Sequence, residues 1–528
     1  MTRQLLCAGL LAAVLLPAAA QADDRLAVAA MQRDLESVRR MLSEGLSDVN
    51  APGPYGTPAL HWLVRIEELD LTTRLLDAGA DVNQRDGLGN TALSIAIENR
   101  DLAMVRLLLD RGADPRTPDV AGETPLMQAA RTGTPGIVQA ILERGVDVDA
   151  REPHYQQTAL MIGVRSGSPE VVALLLDAGA DVNLQTPPGP EPRWRLPSEV
   201  TASKGVGVNW GGFPPHGSRT PIGGAKTALL YAARQGNLEI TRLLIEAGAD
   251  IEQSDADGTT PLLTAIINAT VASKPGVTTE HVETAHYLIE RGANVNAQDW
   301  YGQTPLFAAV DLRNVEVPGP VRDNGIDREA AFELIRTLLE HGADPNARVT
   351  EVLPVKRWIT RLGNLSWVDV TGQTPFFRAA YSGDVSTMKL LLEYGADPNI
   401  ATFNGTTPLM AAAGVNWTVS QTFDEGPEAL LEAVKLAHAL GNDVNAQNTL
   451  GFAAIHGAAN RGSDDIIRWL AANGARLDVP DAVGRTPVVW AHGVFLATHP
   501  PVDRPETAAL IESLLAQQRD EQGGSKGN

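Results

Sequence analysis

The stretch ETPLMQAARTG, residues 123–133, carries the pattern that decides the fold of this 528-residue chain. Close variants return as QTALMIGVRSG, KTALLYAARQG, QTPLFAAVDLR and QTPFFRAAYSG, and each is followed by a second pattern of the type VVALLLDAGADVN. Where nothing is inserted the period is 33 residues, as between Thr91 and Thr124. Self-similarity at this period predicts a stack of repeated helical units.

The residue types within one repeat explain its predicted structure. Thr124 is placed to cap a helix N-terminus, and Pro125 suits the first helical position, where its missing N–H is no loss. Leu126, Ala129 and Ala130 recur at helical spacing and form one apolar stripe. A short turn and a second helix follow. That second helix is predicted to end at a left-handed glycine, with examples at Gly112, Gly179 and Gly342.

A helix–turn–helix of this length that begins with TPL and ends with GADVN resembles the ankyrin repeat. The resemblance covers residues 23–519 and implies an all-α ankyrin-repeat solenoid of about twelve helix–turn–helix units with β-hairpin fingers between them. The units begin near residues 24, 57, 90, 123, 157, 226, 259, 303, 373, 406, 452 and 485. In the eleventh unit Ala453 and Ala454 replace the Thr-Pro pair, which predicts a weaker helix cap there.

The two ends of the chain have different patterns. Residues 1–22 combine Arg3, an apolar run and the small residues AQA, which predicts a secretory signal peptide cleaved after Ala22 and a periplasmic or secreted protein. The single cysteine, Cys7, lies in that segment, so the mature chain is expected to form no disulfide. Residues 520–528 are expected to be a flexible tail.

The charge balance limits the possible partners. The net charge is −21, and binding to nucleic acid or to an anionic membrane needs clustered Lys and Arg. No run reaches the roughly 18 apolar residues that a membrane span needs. We therefore expect a monomer that neither enters a membrane nor binds nucleic acid, and a protein partner with a basic patch.

Five insertions interrupt the repeats, near residues 186–225, 268–278, 311–328, 349–370 and 414–427. In the ankyrin architecture the turns after GADVN become fingers, which border the concave face together with the first helices. The resemblance therefore places 186–225 and 349–370 on the finger side. The other three insertions join the two helices of a unit.

Aromatic residues concentrate in or beside these interruptions, although they form only 5% of the chain. Because exposed aromatic rings are over-represented in binding hot spots, they are the candidates for partner contact: Trp194, Trp210, Phe213, Trp300, Tyr301, Trp358, Trp367 and Trp417. The alternative is that the rings attach the insertions to the repeats. A hairpin formed by VKRWITR and LSWVDV would support that alternative.

The motifs typical of catalytic or ligand sites are incomplete. The glycines of GVGVNWG, residues 205–211, lack the spacing of a dinucleotide loop. His281 and His286 are five residues apart, so they face away from each other on a helix and do not share a metal easily. The turn DADG, residues 255–258, lacks most ligands of a calcium loop. The sequence therefore predicts no catalytic residue, no cofactor and no metal site.

Three functions remain open. The first is a non-catalytic scaffold that binds a protein through the concave ankyrin face and the aromatic insertions. The second is a binder of a small molecule or glycan in an aromatic pocket formed by the insertions. The third and weakest is an enzyme, for which His216, Arg219 and Lys204 are the only nearby polar groups.

Overall fold

The computed structural model describes residues 23–45, 48–190, 222–269, 277–314, 326–351, 371–417, 424–494 and 501–524, without the side chains of 277–278 and 520–524. The chain forms two compact parts. The N-terminal part is Met1–Ala180 and the C-terminal part is Asp181–Asn528.

The described residues of the N-terminal part form five helix pairs. The pairs are α1 Arg25–Met31 with α2 Leu35–Glu44, α3 Ala59–Arg65 with α4 Leu69–Asp77, α5 Ala92–Glu98 with α6 Leu102–Asp110, α7 Pro125–Thr132 with α8 Pro135–Leu142, and α9 Ala159–Ser166 with α10 Pro169–Asp177. Each first helix packs against its own second helix and against the first helix of the next pair. The pairs are therefore stacked in chain order.

The described residues of the C-terminal part form seven more pairs. These are α11 Ala228–Gln235 with α12 Leu238–Glu246, α13 Pro261–Ala269 with α14 Val277–Glu290, α15 Pro305–Arg313 with α16 Arg328–Glu340, α17 Pro375–Ser382 with α18 Val385–Glu393, α19 Pro408–Ala413 with α20 Pro427–Ala439, α21 Ala454–Arg461 with α22 Asp464–Ala472, and α23 Pro487–Ala491 with α24 Pro505–Gly524. Twelve helix pairs confirm the predicted fold class. The last helix continues into the first residues of the segment predicted to be a tail.

The fingers between the pairs are short. Across the ranges described above they contain isolated antiparallel bridges and no continuous strand. The bridges join Pro52 to Pro58, Arg85 to Thr91 and Pro188 to Gly224. These three fingers are thus paired at their base, the third being the first long insertion.

The predicted caps form. The Thr124 hydroxyl accepts a hydrogen bond from the Met127 amide at 3.3 Å, and the same bond recurs at Thr158, Thr227, Thr304, Thr374 and Thr407. The apolar stripe of Leu126, Ala129 and Ala130 is buried. The three glycines that were predicted to end second helices all have positive φ, as the residue after a helix often does.

The eleventh repeat lacks the threonine cap but keeps a side-chain acceptor for the first amide of its helix start. Ala453 has no side-chain oxygen to offer, and no side-chain cap is formed by that residue. Instead, Nδ1 of His456 accepts a hydrogen bond from the Ala453 amide at 3.0 Å. The ring of His456 is fully buried and lies edge-on to Phe452 and Trp490. The histidine therefore satisfies the N-cap amide, as Oγ of Ser94 does for the Thr91 amide, while the threonine hydroxyl that caps the other repeats has no counterpart at Ala453.

Asparagines of the GADVN pattern link each repeat to the next. The Asn346 side chain donates to the Gly395 carbonyl at 3.0 Å and accepts from the Asp397 amide at 2.7 Å. Asn83 makes the same two bonds to Gly112 and Asp114. Each such amide satisfies one carbonyl at a helix end and one amide of the following turn, where intrahelical partners are missing.

Replacing Asn346 by alanine is expected to lower the free energy of unfolding of the C-terminal part by about 1–2 kcal/mol, because both bonds between repeats are lost. Urea unfolding followed by circular dichroism measures this change. Asn473 is the matched control, since its side-chain amide donates to the Trp469 carbonyl within its own helix pair. An Asn473→Ala variant is expected to change stability by less than about 0.5 kcal/mol. Equal effects of the two substitutions would contradict a bridging role.

Candidate functional site

The second, third and fourth fingers of the N-terminal part are each folded around an inward-pointing carboxylate. Oδ1 of Asp86 accepts from the amides of Leu88 and Asn90, at 2.9 and 2.8 Å. Asp119 holds the next finger in the same way through the amides of Ala121 and Glu123. These hydrogen bonds fix the turn around the carboxylate and leave the side chain at the tip exposed to solvent.

The fourth finger uses a longer acid because it has a longer turn. Glu152 is buried and accepts from the amides of His154, Tyr155 and Gln157. Burial by itself would raise the pKa of Glu152, but the three amide hydrogen bonds outweigh it and hold that pKa below its ordinary value. The carboxylate is thus ionised and committed to holding Tyr155 at the tip.

The four fingers of the N-terminal part each expose a large apolar side chain, in an otherwise charged region. The exposed fractions are 83% for Tyr55, 71% for Leu88, 71% for Val120 and 72% for Tyr155. We call these four residues the fingertip row. Single exposed apolar residues are ordinary on protein surfaces, whereas one in the finger of each of four consecutive repeats forms an extended apolar line.

Neighbouring fingers of the row are in contact. A β-carbon at Gly87 would lie 2.0 Å from the Tyr55 carbonyl oxygen, so only glycine allows the first two fingers to approach this closely. Arg85 donates to the Pro118 carbonyl at 2.8 Å and joins the second finger to the third. Gly122 lies against Pro153 and joins the third to the fourth. The row is therefore held by a continuous base.

Fingers of the C-terminal part also carry exposed apolar residues, at Trp300, Phe403 and Val483. The Phe403 ring is covered on one side by the Arg348 guanidinium, 4.3 Å from the ring centroid. The insertion at 349–370 separates Trp300 from Phe403 in the sequence. The fingertip row of the N-terminal part is the longer uninterrupted set among the described residues.

The aromatic residues singled out from the sequence have different positions. Trp300 is 48% exposed at the tip of its finger, as a partner-contacting residue should be. Tyr301 is only 3% exposed, which removes its ring from the surface that a partner could reach. Trp417 is half-buried, with the Arg461 guanidinium 5.1 Å from its ring centroid, so it packs on its own chain. The other candidates lie outside the described residues: Trp194, Trp210, Phe213, Trp358 and Trp367.

Both long finger insertions begin and end at paired backbone. At the first insertion, the Thr186 amide bonds to the Lys226 carbonyl and the Gly189 amide to the Gly223 carbonyl. At the second, the Val349 amide bonds to the Gln373 carbonyl at 3.1 Å. The ends of both insertions therefore occupy finger positions, as the resemblance implied. The predicted hairpin of the second insertion lies outside the described residues.

The turn DADG has a structural use. Oδ1 of Asp255 accepts from the amides of Asp257 and Thr259, and its Oδ2 pairs with Lys226 Nζ at 2.5 Å. The two oxygens of Asp257 accept from the amides of Ile222 and Gly223. These carboxylates hold the finger and the returning end of the first insertion.

The two helical histidines are placed apart from any ligand set. Nε2 of buried His281 lies 3.0 Å from the Arg234 carbonyl oxygen, which ties α14 to the end of α11. Burial lowers the pKa of half-buried His286. Where the structure describes the chain, it brings no three His, Cys, Asp or Glu residues together as a metal site would.

A buried ion network occupies a different side of the C-terminal part, where the helices of each pair are joined. Nε of Arg313 pairs with Oδ2 of Asp384 at 2.9 Å, and the two side chains are 11% and 1% exposed. Asn314, Ser386 and Thr387 donate further hydrogen bonds to the same carboxylate. Burial alone would raise the pKa of Asp384, but Arg313 and the hydroxyl hydrogen bonds outweigh burial and lower it.

The network extends over several repeats. Arg378 pairs with Asp311 at 2.6 Å and donates to the Asn314 carbonyl at 2.9 Å. Farther along, Arg328 pairs with Glu425 at 2.8 Å. Arg461 pairs with Asp424 at 3.0 Å. The described ends of the insertions near 311–328 and 414–427 are therefore attached to the same set of repeats.

None of the described helices has the length and apolar character that a membrane span would need.

Comparison with known families supports the repeat assignment. The family model described as ankyrin repeats in three copies matches residues 26–119, 117–186, 215–299 and 353–420. The chain is an ankyrin-repeat protein. Ankyrin repeats are protein–protein interaction modules.

The relatives of this ankyrin-repeat protein match it over short stretches. It is 30% identical over 124 residues to the inactive serine/threonine-protein kinase TEX14 of Bos taurus, which is 23% of this chain and 8% of that protein. It is 36% identical over 110 residues to the cyclin-dependent kinase 4 inhibitor B of Rattus norvegicus, which is 21% of this chain and 75% of that one. The chain thus spans less than a tenth of the kinase-like relative.

Two solved ankyrin repeat domains are similar in structure. The domain of human ASB11 covers 49% of this chain and 97% of its own, with 24% identity and a TM-score of 0.36. The domain of Bcl-3 covers 55% of this chain and 100% of its own, with 21% identity and a TM-score of 0.37.

Sequence reasoning missed the fingertip row and the buried ion network. A signal for three members of the row is present, because an acidic residue is followed within three positions by an apolar residue, as in Asp86 and Leu88 or Glu152 and Tyr155. The first finger, which carries Tyr55, has no acidic residue in its turn. No comparable signal exists for the network, because Arg313 and Asp384 resemble any other charged residues of the repeats.

Proposed function

We propose that this ankyrin-repeat protein is a non-catalytic scaffold, located in the periplasm or outside the cell, that binds a protein partner through its fingers and the adjoining concave ankyrin face. The observation that carries the proposal is the fingertip row, because four exposed apolar tips in consecutive repeats form a surface that water does not favour. Tyrosine at both ends of the row suits a contact surface, since its ring is large and rigid and its hydroxyl stays polar.

Other observations support a scaffold over an enzyme. The carboxylates of the N-terminal fingers are committed to backbone amides, and the buried ions of the C-terminal part are paired with one another. Groups that are already fully bonded are poorly placed to act on a substrate. Two relatives are an inactive kinase and a kinase inhibitor, and those descriptions are compatible with this function.

A photoreactive phenylalanine analogue at position 88 or 120 is expected to crosslink a partner protein in the native cell. The same analogue at position 69 is the control, because Leu69 is also exposed but lies at the start of α4 and outside the fingers. We expect about fivefold more crosslinked product at the fingertips than at position 69, since binding energy concentrates in a few apolar anchors. Equal yields at the three positions, or none at all, would argue against the proposed surface.

The proposed location depends on the predicted signal peptide. Fractionation of the native cell is expected to place the protein in the periplasm or the medium, with a mature N-terminus at Asp23. N-terminal sequencing of the purified protein measures this directly. A chain that retains Met1 and remains in the cytoplasm would exclude the proposed location without affecting the scaffold function.

A second function, binding of a small molecule or glycan, is favoured by the position of Trp300. Its amide bonds to the Asp257 carbonyl, and Asp257 in turn holds the end of the first insertion. On the other side, the neighbouring Tyr301 carbonyl accepts from the Thr350 amide at the start of the second insertion. A half-exposed tryptophan therefore lies between the ends of both long fingers.

Titration with soluble cell-wall glycan fragments tests this second function. A ligand that contacts Trp300 is expected to quench tryptophan fluorescence in the wild type and to quench it less in a Trp300→Phe variant. Identical quenching in the two proteins would remove Trp300 from such a site.

A further inference from the structure

The chemistry of the fingertip row also indicates what kind of partner segment it fits. This inference rests on the proposed function. The spacing of the four fingertips, the hydrogen bonds already made by the finger amides and the charges beside the row each limit the kind of segment that can bind.

The spacing of the row follows from the helix stack beneath it. First helices of consecutive repeats pack directly on one another, α3 on α5, α5 on α7 and α7 on α9. Packed helices have axes about 8–10 Å apart, so successive tips follow at roughly 10 Å per repeat. Two turns of an α-helix, or seven residues, advance by about the same distance. One apolar residue in every seven of a partner helix would therefore meet one fingertip.

An extended partner fits less well. In a β-strand, three residues advance by about 10 Å, but an odd step places successive side chains on opposite faces. A polyproline helix has a suitable step of three residues, about 9.3 Å, but its backbone carbonyls depend on outside donors. The finger amides of Leu88, Ala121 and Tyr155 are already bonded to the inward-pointing carboxylates. An α-helix needs no such donors, because its backbone bonds are internal.

The charges beside the row favour a basic partner. Exposed aspartates recur at the base of the four fingers, at Asp48, Asp81, Asp114 and Asp147. The arginines of the same fingers are directed to backbone carbonyls: Arg85 to Gly89 and Pro118, Arg116 to Gly145, and Arg151 to Gln156. In a chain of net charge −21, the field beside the row is negative and attracts Lys and Arg.

We propose that the fingertip row docks a basic amphipathic α-helix of a partner protein, about 22 residues long, whose apolar residues recur every seven positions. The apolar residues contact Tyr55, Leu88, Val120 and Tyr155 in turn. The Lys and Arg residues on either side of that stripe face the finger aspartates.

Three synthetic peptides test this proposal with the full chain. The first is a Lys-rich helix-forming peptide of about 24 residues with leucine at every seventh position. The second has the same composition with leucine at every fifth position, and the third is a proline-rich peptide with leucine at every third position. Fluorescence anisotropy measures the affinity of each labelled peptide. The first is expected to bind about tenfold or more tightly than the other two, and binding is expected to weaken from about 50 to about 500 mM salt.

Variants then locate the binding site. A Leu88→Ser/Val120→Ser double variant is expected to lose about tenfold in affinity for the first peptide, whereas Leu69→Ser is expected to retain it. All three side chains are exposed, so circular dichroism should show unchanged folding. Equal affinity for the first and second peptides, tighter binding of the proline-rich peptide, or no effect of the double variant would each overturn the proposal. If fingertip crosslinks form in cells while the first peptide fails to bind, the scaffold function stands and the helical partner is excluded.

Discussion

Replacing Asp384 by alanine is expected to lower the free energy of unfolding of the C-terminal part by about 3–5 kcal/mol, the largest effect that we anticipate for a single side chain. The substitution leaves the guanidinium of Arg313 buried without its counter-ion. It also removes the acceptor for Asn314 and the cap of α18, which Asp384 forms with the Thr387 amide at 3.1 Å. A buried charge that loses its partner is far more destabilising than a lost surface ion pair.

Asn237 provides the matched control for this substitution. It occupies the equivalent position at the start of α12, where its side chain accepts from the Ile240 amide at 3.0 Å, and no buried arginine is paired with it. An Asn237→Ala variant is expected to lose only the cap, about 1 kcal/mol. Urea unfolding followed by tryptophan fluorescence measures both variants. If the two losses are equal, the ion network contributes no stability beyond helix capping.

The ion network also predicts that the protein loses stability at strongly acidic pH. Because the pKa of Asp384 is lowered in the folded protein, its stabilising effect is fully present above its ordinary value near 3.8 and is lost as pH falls through the folded pKa. This loss lies below the range in which histidines titrate. The contributions of Asp384 and of the histidines to the pH dependence of stability can therefore be measured separately.

Acidification from above pH 7 to about pH 4 is expected to lower the free energy of unfolding by about 3 kcal/mol through His456 alone. Burial of the ring lowers the pKa of His456 from 6.5 to about 4, although the Asp481 charge opposes that shift. The unfolded histidine takes up a proton near pH 6.5, whereas the folded one does so only near pH 4. Between these values the unfolded state binds more protons, so stability falls as the pH falls.

The surroundings of His456 explain why a nearby carboxylate does not keep it charged. Oδ2 of Asp481 already accepts from Arg485 Nε at 2.7 Å and from Trp490 Nε1 at 3.0 Å. Nδ1 of His456 has to remain unprotonated to accept from the Ala453 amide. Protonation would remove the acceptor of the Ala453 amide at the start of this helix.

Stability of the wild type and of a His456→Leu variant, measured by urea unfolding between pH 7.5 and 4.5, tests this prediction. The variant is expected to be less stable at neutral pH because it lacks the acceptor for the Ala453 amide, but to lose about 2.5 kcal/mol less between pH 7.5 and 4.5. Imidazole chemical shifts give an independent measurement, since His456 should remain neutral at pH 5.5. A resonance that titrates near pH 6.5, or an unchanged slope in the variant, would contradict the buried neutral histidine.

Much of the fold could be predicted from particular residues. Thr124 and Pro125 start a helix, as the same pair does at Thr304 and Thr374, and Gly112 ends one, because capping and left-handed turns depend on groups only a few positions apart. The absence of the Thr-Pro pair likewise predicted the weak cap at Ala453. It did not identify His456 as the acceptor of the Ala453 amide, although His456 lies in the first turn of the same helix.

The candidate site was less predictable. Trp300 and Tyr301 are adjacent aromatic residues of one finger, and no sequence pattern distinguishes them, yet one ring is exposed and the other is buried. Leu88 and Val120 were not among the predicted contact residues, because aliphatic side chains are usually buried. Their exposure arises from Asp86 and Asp119, whose carboxylates turn inward and leave the tips outside.

The sequence by itself thus determined the repeat, its period, its caps and the order of its twelve helix pairs, because each of these depends on interactions within about one helical turn. Only the tertiary structure decided which fingertips face solvent and which charges are buried together. Arg328 and Glu425, or Arg313 and Asp384, are brought together by the stacking of whole repeats. Such contacts depend on how successive repeats pack, and no spacing within a single repeat encodes them.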